Sequence, residues 1–111
     1  MNLNNKKFVT AENKNGLSSD ATIFHYFQNG TTITANYKGG AIKEGLIIGK
    51  QTQDSEIELL YQCLTTEGEL KAGEAKGSIL KTPSGKLKLE FDWNWINGDL
   101  SAGTSKYIEI E

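Results

Sequence analysis

From Lys86 to Trp95 the chain alternates with a period of two. Leu87, Leu89, Phe91, Trp93 and Trp95 share one parity; Lys86, Lys88, Glu90, Asp92 and Asn94 share the other. Successive side chains of a β-strand point to opposite faces, so this segment is predicted to be a strand with one face buried and one in water. No window of useful length places apolar residues at helical spacing. Turn signals break the chain at close intervals: Asn29-Gly30, Gly39-Gly40, Asp54-Ser55, Glu67-Gly68, Ser84-Gly85 and Asn97-Gly98. Asn-Gly and Gly-Gly suit primed hairpin turns because both residues tolerate positive φ. The segments between them are rich in β-branched and aromatic residues. Strands are therefore predicted over 6–13, 20–28, 31–38, 41–52, 56–65, 69–81, 86–96 and 100–110, with 14–19 as a longer first loop. Pro83 falls in a turn, where it removes no ladder hydrogen bond.

Eight strands joined by short turns make an antiparallel up-and-down meander. Left open, such a sheet exposes two edges and a wide apolar face; closure removes both liabilities. The predicted fold is all-β, a single closed barrel over residues 1–111, calycin-like in the sense of lipocalin and avidin topology. A barrel of eight strands has room for filling side chains or for one small ligand.

The segments Gly40-Ala41-Ile42-Lys43-Glu44-Gly45, Gly68-Glu69-Leu70-Lys71-Ala72-Gly73 and Gly98-Asp99-Leu100-Ser101-Ala102-Gly103 share the pattern Gly-x-aliphatic-x-x-Gly, at spacings of 28 and 30 residues. The first glycine makes a turn and the aliphatic residue re-enters the core. The second lies inside a strand, where a bend or bulge is the expectation.

Charge and composition narrow the function. The formal net charge is -2, with 12 lysines, 14 acids and no arginine. A near-neutral surface argues against nucleic acid, which needs a basic stripe. Without arginine there is no planar, bidentate grip on phosphate or carboxylate. Cys63 is the single cysteine, so no intramolecular disulfide forms, which favours a reducing compartment. Met1 to Lys7 is polar and unlike a signal peptide, and no segment has the roughly 18 apolar residues of a membrane span. The expected location is cytoplasmic, away from any membrane.

Residue types that could carry chemistry are sparse. His25 is the one histidine and sits in a predicted strand with no partner group specified. Cys63 shares parity with Ile57, Leu59 and Tyr61, as a small buried hydrophobe would. One cysteine and one histidine cannot build a zinc site of the usual type. Glu90 and Asp92 share a face with Lys86 and Lys88, so a solvated, charge-balanced surface accounts for them, as it does for Glu56 and Glu58. Ser101 and Ser105 lack a nucleophile-elbow context and are expected to cover a strand face. Gly45-x-x-x-Gly49 lacks the Lys-Ser/Thr of a phosphate loop. Its Leu46, Ile47 and Ile48 fit a strand buried on both faces.

The set Phe24-x-Tyr26, Tyr37-x-Gly39-Gly40, Gly45 to Gly49, Tyr61-Gln62, Trp93-x-Trp95-x-Asn97-Gly98-Asp99 and Ser101-x-Gly103-x-Ser105 resembles a family of small bacterial proteins of similar length. Those proteins often carry the label N-acetylglutamate synthase. The label implies an acetyltransferase, whose coenzyme A pyrophosphate sits on a glycine-rich loop opening a helix. The present residues offer no such helix and do not support the label.

The aromatic residues are the most suggestive feature. Phe24, Tyr26, Tyr37, Tyr61, Phe91, Trp93 and Trp95 are consistent with inward positions, and tyrosine and tryptophan add a polar handle to an apolar body. Tyr26, Tyr37, Tyr61, Trp93 and Trp95 are the expected lining of a cavity, with Gln62 or Asn94 near its rim. The expected partner is a small apolar or amphipathic molecule, bound without catalysis, cofactor or metal. Two alternatives stand beside this. An enzyme (acyltransferase or hydrolase) would need His25 or a carboxylate of raised pKa at the same cavity. A protein–protein or homo-oligomerisation module would have a filled barrel and would cover Leu46 to Ile48 with its partner.

Overall fold

In the computed structural model, which describes residues 1–14 and 16–110, each hydrophobic segment becomes a strand of one sheet. The strands are β1 (Lys6–Asn13), β2 (Ile23–Asn29), β3 (Thr32–Gly39), β4 (Ile42–Gln53), β5 (Glu56–Thr65), β6 (Leu70–Lys81), β7 (Leu87–Trp95) and β8 (Ala102–Ile110). Each is antiparallel to the next, and β8 returns to pair with β1 from Ile110 opposite Lys7 to Ser105 opposite Asn13. The expected closed meander of eight strands is thus the observed fold. Among the described residues no helix is long and apolar enough to cross a membrane.

Two boundaries differ from those expected by more than one residue, both for local reasons. The first loop runs on to Thr22 instead of ending at residue 19. The buried Thr22 hydroxyl accepts from the Ser19 N–H at 3.1 Å and donates to the Gly39 carbonyl at 3.0 Å, diverting the chain from the ladder. Gly39 has φ +120, and a Cβ there would strike the Ala21 carbonyl oxygen, so glycine is required. Residue 15, in the same loop, lies outside the described residues. At the other boundary β8 begins at Ala102, two residues late. Leu100 is left-handed (φ 58), and the Asp99 carboxylate accepts from the Ser101 N–H at 3.0 Å, which makes residues 97–101 a turn.

The interior divides along the barrel axis. At the end holding the β2–β3, β4–β5 and β6–β7 turns, Phe8, Ile33, Ile57, Ile79 and Leu89 are fully buried. Leu3, in the segment before β1, plugs this end; its N–H donates to Gln28 Oε1 at 2.9 Å. The opposite end is aromatic: Phe24, Tyr37, Tyr61, Phe91, Trp93, Trp95 and Tyr107. There β1 pairs with β2 only over Lys6 to Val9, because a bulge between Thr10 and Glu12 turns the rest of β1 toward β8.

Five inward positions of the wall are glycine, and each faces a large residue across the ladder. Gly45 is opposite Tyr37, Gly49 opposite Leu59, Gly73 opposite Tyr61, Gly77 opposite Phe91 and Gly103 opposite Trp93. A Cβ on any of them would overlap that neighbour. The side chains therefore lie against the wall over bare backbone, which is how a strand glycine is compensated by a cross-strand ring. The repeat in the sequence has this meaning: Gly45, Gly73 and Gly103 seat rings, and the expected irregularity is found at the first of them, where β4 shifts register between Ile42 and Glu44.

Glu109 ties the seam at the packed end. Its carboxylate accepts from the Leu87 N–H at 2.8 Å and pairs with the Lys6 ammonium at 3.1 Å. Burial pushes its pKa up, but the Leu87 and Lys6 contacts outweigh that and hold it below the ordinary 4.5. A depressed folded-state pKa adds stability above the unfolded value and loses it as pH falls through the folded one. Glu109→Gln should therefore cost about 1–2 kcal/mol at neutral pH and flatten the fall in stability below pH 4.5. Urea titrations at neutral and acid pH check this; an unchanged acid slope would contradict it.

Candidate functional site

The aromatic end encloses a cavity of about 60 Å³. A single water needs roughly 10–15 Å³ of such space, so there is room for several waters. The wall comes from alternate positions of every strand but β1, which adds Asn13 at its end. Tyr37, Tyr61, Trp93, Trp95 and Tyr107 supply most of it, and Gly16, Leu17 and Ser18 of the first loop cover one side of the mouth. No charged side chain is in the lining.

The rings brace one another. Phe24 stacks on Tyr37 at 4.8 Å between centroids, while Tyr107 meets Phe24 edge-on at 4.9 Å and Phe91 at 5.7 Å. Trp95 meets Tyr61 at 5.4 Å and Trp93 at 5.5 Å. Edge-to-face pairs at these separations hold ring orientation as well as area. Lys71, which shares the inward parity of Gly73 and Ala75 on β6, places its Nζ 4.6 Å from the centroid of the Trp95 ring, a cation–π contact that fixes Trp95 at the rim.

Polar groups gather on one side of the mouth. Asn13 Nδ2 donates to the Ser18 carbonyl and approaches the Ser18 hydroxyl, both at 3.0 Å. The Thr10 hydroxyl donates to Ser18 Oγ at 3.1 Å, and Ser105 and Tyr107 line the cavity beside them. Asn13 Oδ1 is buried and has no hydrogen-bond partner. A buried carbonyl oxygen without a donor is costly and calls for an explanation.

Of the residues expected to form the site, Tyr26, Tyr37, Tyr61, Trp93 and Trp95 all line the cavity. Gln62 does not. Its parity is opposite to that of Tyr61 and Cys63, so its side chain is exposed on the outer wall and only its carbonyl serves the interior, accepting from the Tyr37 hydroxyl at 3.2 Å. Asn94 also faces outward, with Nδ2 3.3 Å from Glu74 Oε1. Leu46 and Ile48, expected to be buried on both faces of the strand, are 55% and 59% exposed, because the barrel is a single layer and only Ile47 turns inward. Ser105, expected to cover a strand face, covers the inner one: it is 2% exposed and lines the cavity.

His25 also faces outward, 2.8 Å from Asn5 Oδ1 and against Phe27. The enzyme alternative asked for this base, or a carboxylate of raised pKa, at the cavity; neither is in its lining. Among the described residues no group of three His, Cys, Asp or Glu side chains could hold a metal ion. Cys63 does line the cavity, buried among apolar walls, and burial pushes its thiol pKa up despite the Tyr37 hydroxyl and the Lys71 charge. Of the acids expected on the outer wall, Glu58 pairs with Lys50 and Lys76, and Glu90 with Lys88.

Asn13, Ser18 and Tyr107 were not singled out in the sequence, and Ser105 was named without a place in the cavity. For Ser105 and Tyr107 a signal existed, since they continue the inward parity of Gly103 along β8. For Asn13 and Ser18 there was none, because their convergence depends on how the first loop folds over the mouth.

A closed antiparallel barrel, packed at one end and carrying an uncharged, aromatic-walled cavity at the other, has calycin architecture. The family model described as avidin-like protein matches residues 1–110, and the chain belongs to the avidin-like family. No curated protein and no solved structure matches it.

All four tyrosines have pKa values raised above 10.0, in each case chiefly by burial. Ionisation is thus easier in the unfolded chain, so the stability they lend is intact below pH 10.0 and falls as pH rises beyond it. In an alkaline titration, tyrosinate absorbance should stay flat through pH 10.0 and then rise together with loss of the near-ultraviolet dichroism. Ordinary titration of two or more tyrosines in the folded protein would contradict this placement.

Proposed function

We propose that this protein is a non-catalytic binding module. Its ligand would place a small, uncharged ring with N–H groups in the cavity and extend an apolar tail past Leu17 and Trp95. The observation that carries this is the buried, unpartnered Asn13 Oδ1 at the polar side of an otherwise apolar cavity. A ligand N–H would satisfy it, and hydroxyls of Ser18, Ser105 and Tyr107 stand close by to receive or give further hydrogen bonds. Pockets of this kind, mostly aromatic with a few convergent polar groups, are typical small-molecule sites. The absence of charge in the lining favours a neutral group at depth, since an ion there would be desolvated without a counter-charge.

The avidin-like family binds small ligands such as biotin, which has a neutral ring with N–H groups and is therefore the first probe. Both tryptophans of the chain line the cavity, so intrinsic fluorescence reports occupancy directly. Titration with biotin should shift and change the tryptophan emission saturably. Asn13→Ala should weaken binding by about tenfold or more, the loss of one buried hydrogen bond. No saturable change with biotin, together with no small molecule released when the purified protein is denatured, would overturn the proposal. Equal binding by Asn13→Ala would overturn the role of Asn13.

A further inference from the structure

The chain has three Asn-Gly pairs, of which Asn15-Gly16 begins on a residue outside the described ones. The other two are held in opposite ways. Asn97 is fixed at both ends of its amide: Oδ1 accepts from the Ala72 N–H at 2.8 Å and Nδ2 donates to the Leu70 carbonyl at 3.0 Å. Asn29 is exposed, and its side chain has no hydrogen-bond partner among the described residues. It ends β2 and pairs with Thr32, which leaves Gly30 and Thr31 as the turn. Gly30 has φ +63, with nothing within 4 Å of the place a Cβ would take, as suits the first position of a type II′ turn. Its N–H has no partner among the described residues.

We infer that Asn29 is a site of spontaneous covalent modification, and that its conversion loosens the Leu3 plug at the packed end. Asparagine is thermally labile because the nitrogen of the next residue can attack its side-chain carbonyl carbon. Here the Gly30 nitrogen gives up its proton and bonds to Asn29 Cγ. The Cγ–Nδ2 bond breaks, and ammonia leaves with that proton. The cyclic imide takes up one water at either carbonyl. It opens to an aspartyl link, or to an isoaspartyl link in which the main chain runs through the side chain and is longer by a methylene. Glycine leaves the approach unobstructed. Rotation of Asn29 toward its neighbour breaks only the last rung of the β2–β3 ladder, and terminal rungs open readily. At Asn97 the same rotation would break both side-chain hydrogen bonds to β6.

Gln28 carries the consequence. Its Nε2 donates to the Gly30 carbonyl at 3.0 Å and to Gln51 Oε1 at 2.6 Å. Its Oε1 accepts from the Leu3 N–H at 2.9 Å, and its own N–H donates to Asn4 Oδ1 at 3.0 Å. A main chain lengthened between Gln28 and Gly30 draws the Gly30 carbonyl away from the amide on which the Leu3 segment hangs.

Ageing the purified protein at mildly alkaline pH, with peptide mass mapping and enzymatic methylation of isoaspartate, tests the site. The Asn29 amide should be lost with release of ammonia, faster as pH rises, while Asn97 stays intact; in urea both should be lost at similar rates. Loss at neither residue of the folded protein, or equal loss at both, would overturn the site. Hydrogen exchange tests the consequence. The Leu3 N–H should exchange roughly fivefold faster or more in the isoaspartyl form, the loss of one hydrogen bond. Asn29→Gln should resist ageing and keep the slow exchange. Asn29→Asp, which adds the charge without the longer chain, should keep it too. Unchanged Leu3 exchange in the isoaspartyl form, or equally fast exchange in Asn29→Asp, would overturn the link between chain lengthening and the plug.

Discussion

The seating of large side chains on bare glycine backbone is the constraint on which the site depends. In a barrel of eight strands the lumen is narrow enough for side chains alone to fill it. Here Tyr37, Tyr61 and Trp93 lie over Gly45, Gly73 and Gly103 at the aromatic end, where a Cβ in each place would push the ring off the wall. Room for the cavity is made by the absence of five β-carbons as much as by the rings themselves. Phe91 and Leu59 over Gly77 and Gly49 continue the arrangement toward the packed end, where Ile33, Ile57, Ile79 and Leu89 close the lumen.

The two ends are held by different physics. Leu3 and the aliphatic layer at the packed end are stabilised by burial, and Glu109 fixes the seam there with a backbone N–H and a lysine. At the cavity end, burial of the rings is supplemented by mutual edge contacts and by the Lys71 ammonium over the Trp95 ring. The first loop belongs to this end. Thr22 pins it to Gly39 and Ser18 pins it to Asn13 and Thr10, so the mouth is roofed on one side by hydrogen-bonded chain. Asn13 Oδ1 is the one buried side-chain polar atom without a partner among the described residues, and it stands where the polar side of a ligand would be.

Much of the architecture was legible because alternation in this chain is strong and its turns are marked. The run from Leu87 to Trp95 showed its parity plainly, and every tyrosine and tryptophan named for the cavity faces it. Closure also followed from strand number and short turns. Three features were not legible. Gln62 was assigned to the rim for its amide, although its parity opposes that of Tyr61. The glycine repeat was visible, but whether an inward glycine bends a strand or seats a ring depends on what stands opposite, and that is a matter of register. Asn13 and Ser18 converge only through a bulge in β1 and the path of a nine-residue loop, neither of which has periodicity.

Crystal structures under xenon pressure, of the intact protein and of Gly73→Ala, test the glycine-seated cavity most directly. The account predicts xenon against Trp93 and Tyr61 in the intact protein and none at the packed end. In Gly73→Ala it predicts the Tyr61 ring displaced into the lumen and the xenon lost, with the layer around Ile57 and Leu89 unmoved. Xenon bound equally in both proteins, with the Tyr61 ring in place, would show that the cavity does not depend on the bare backbone beneath its walls.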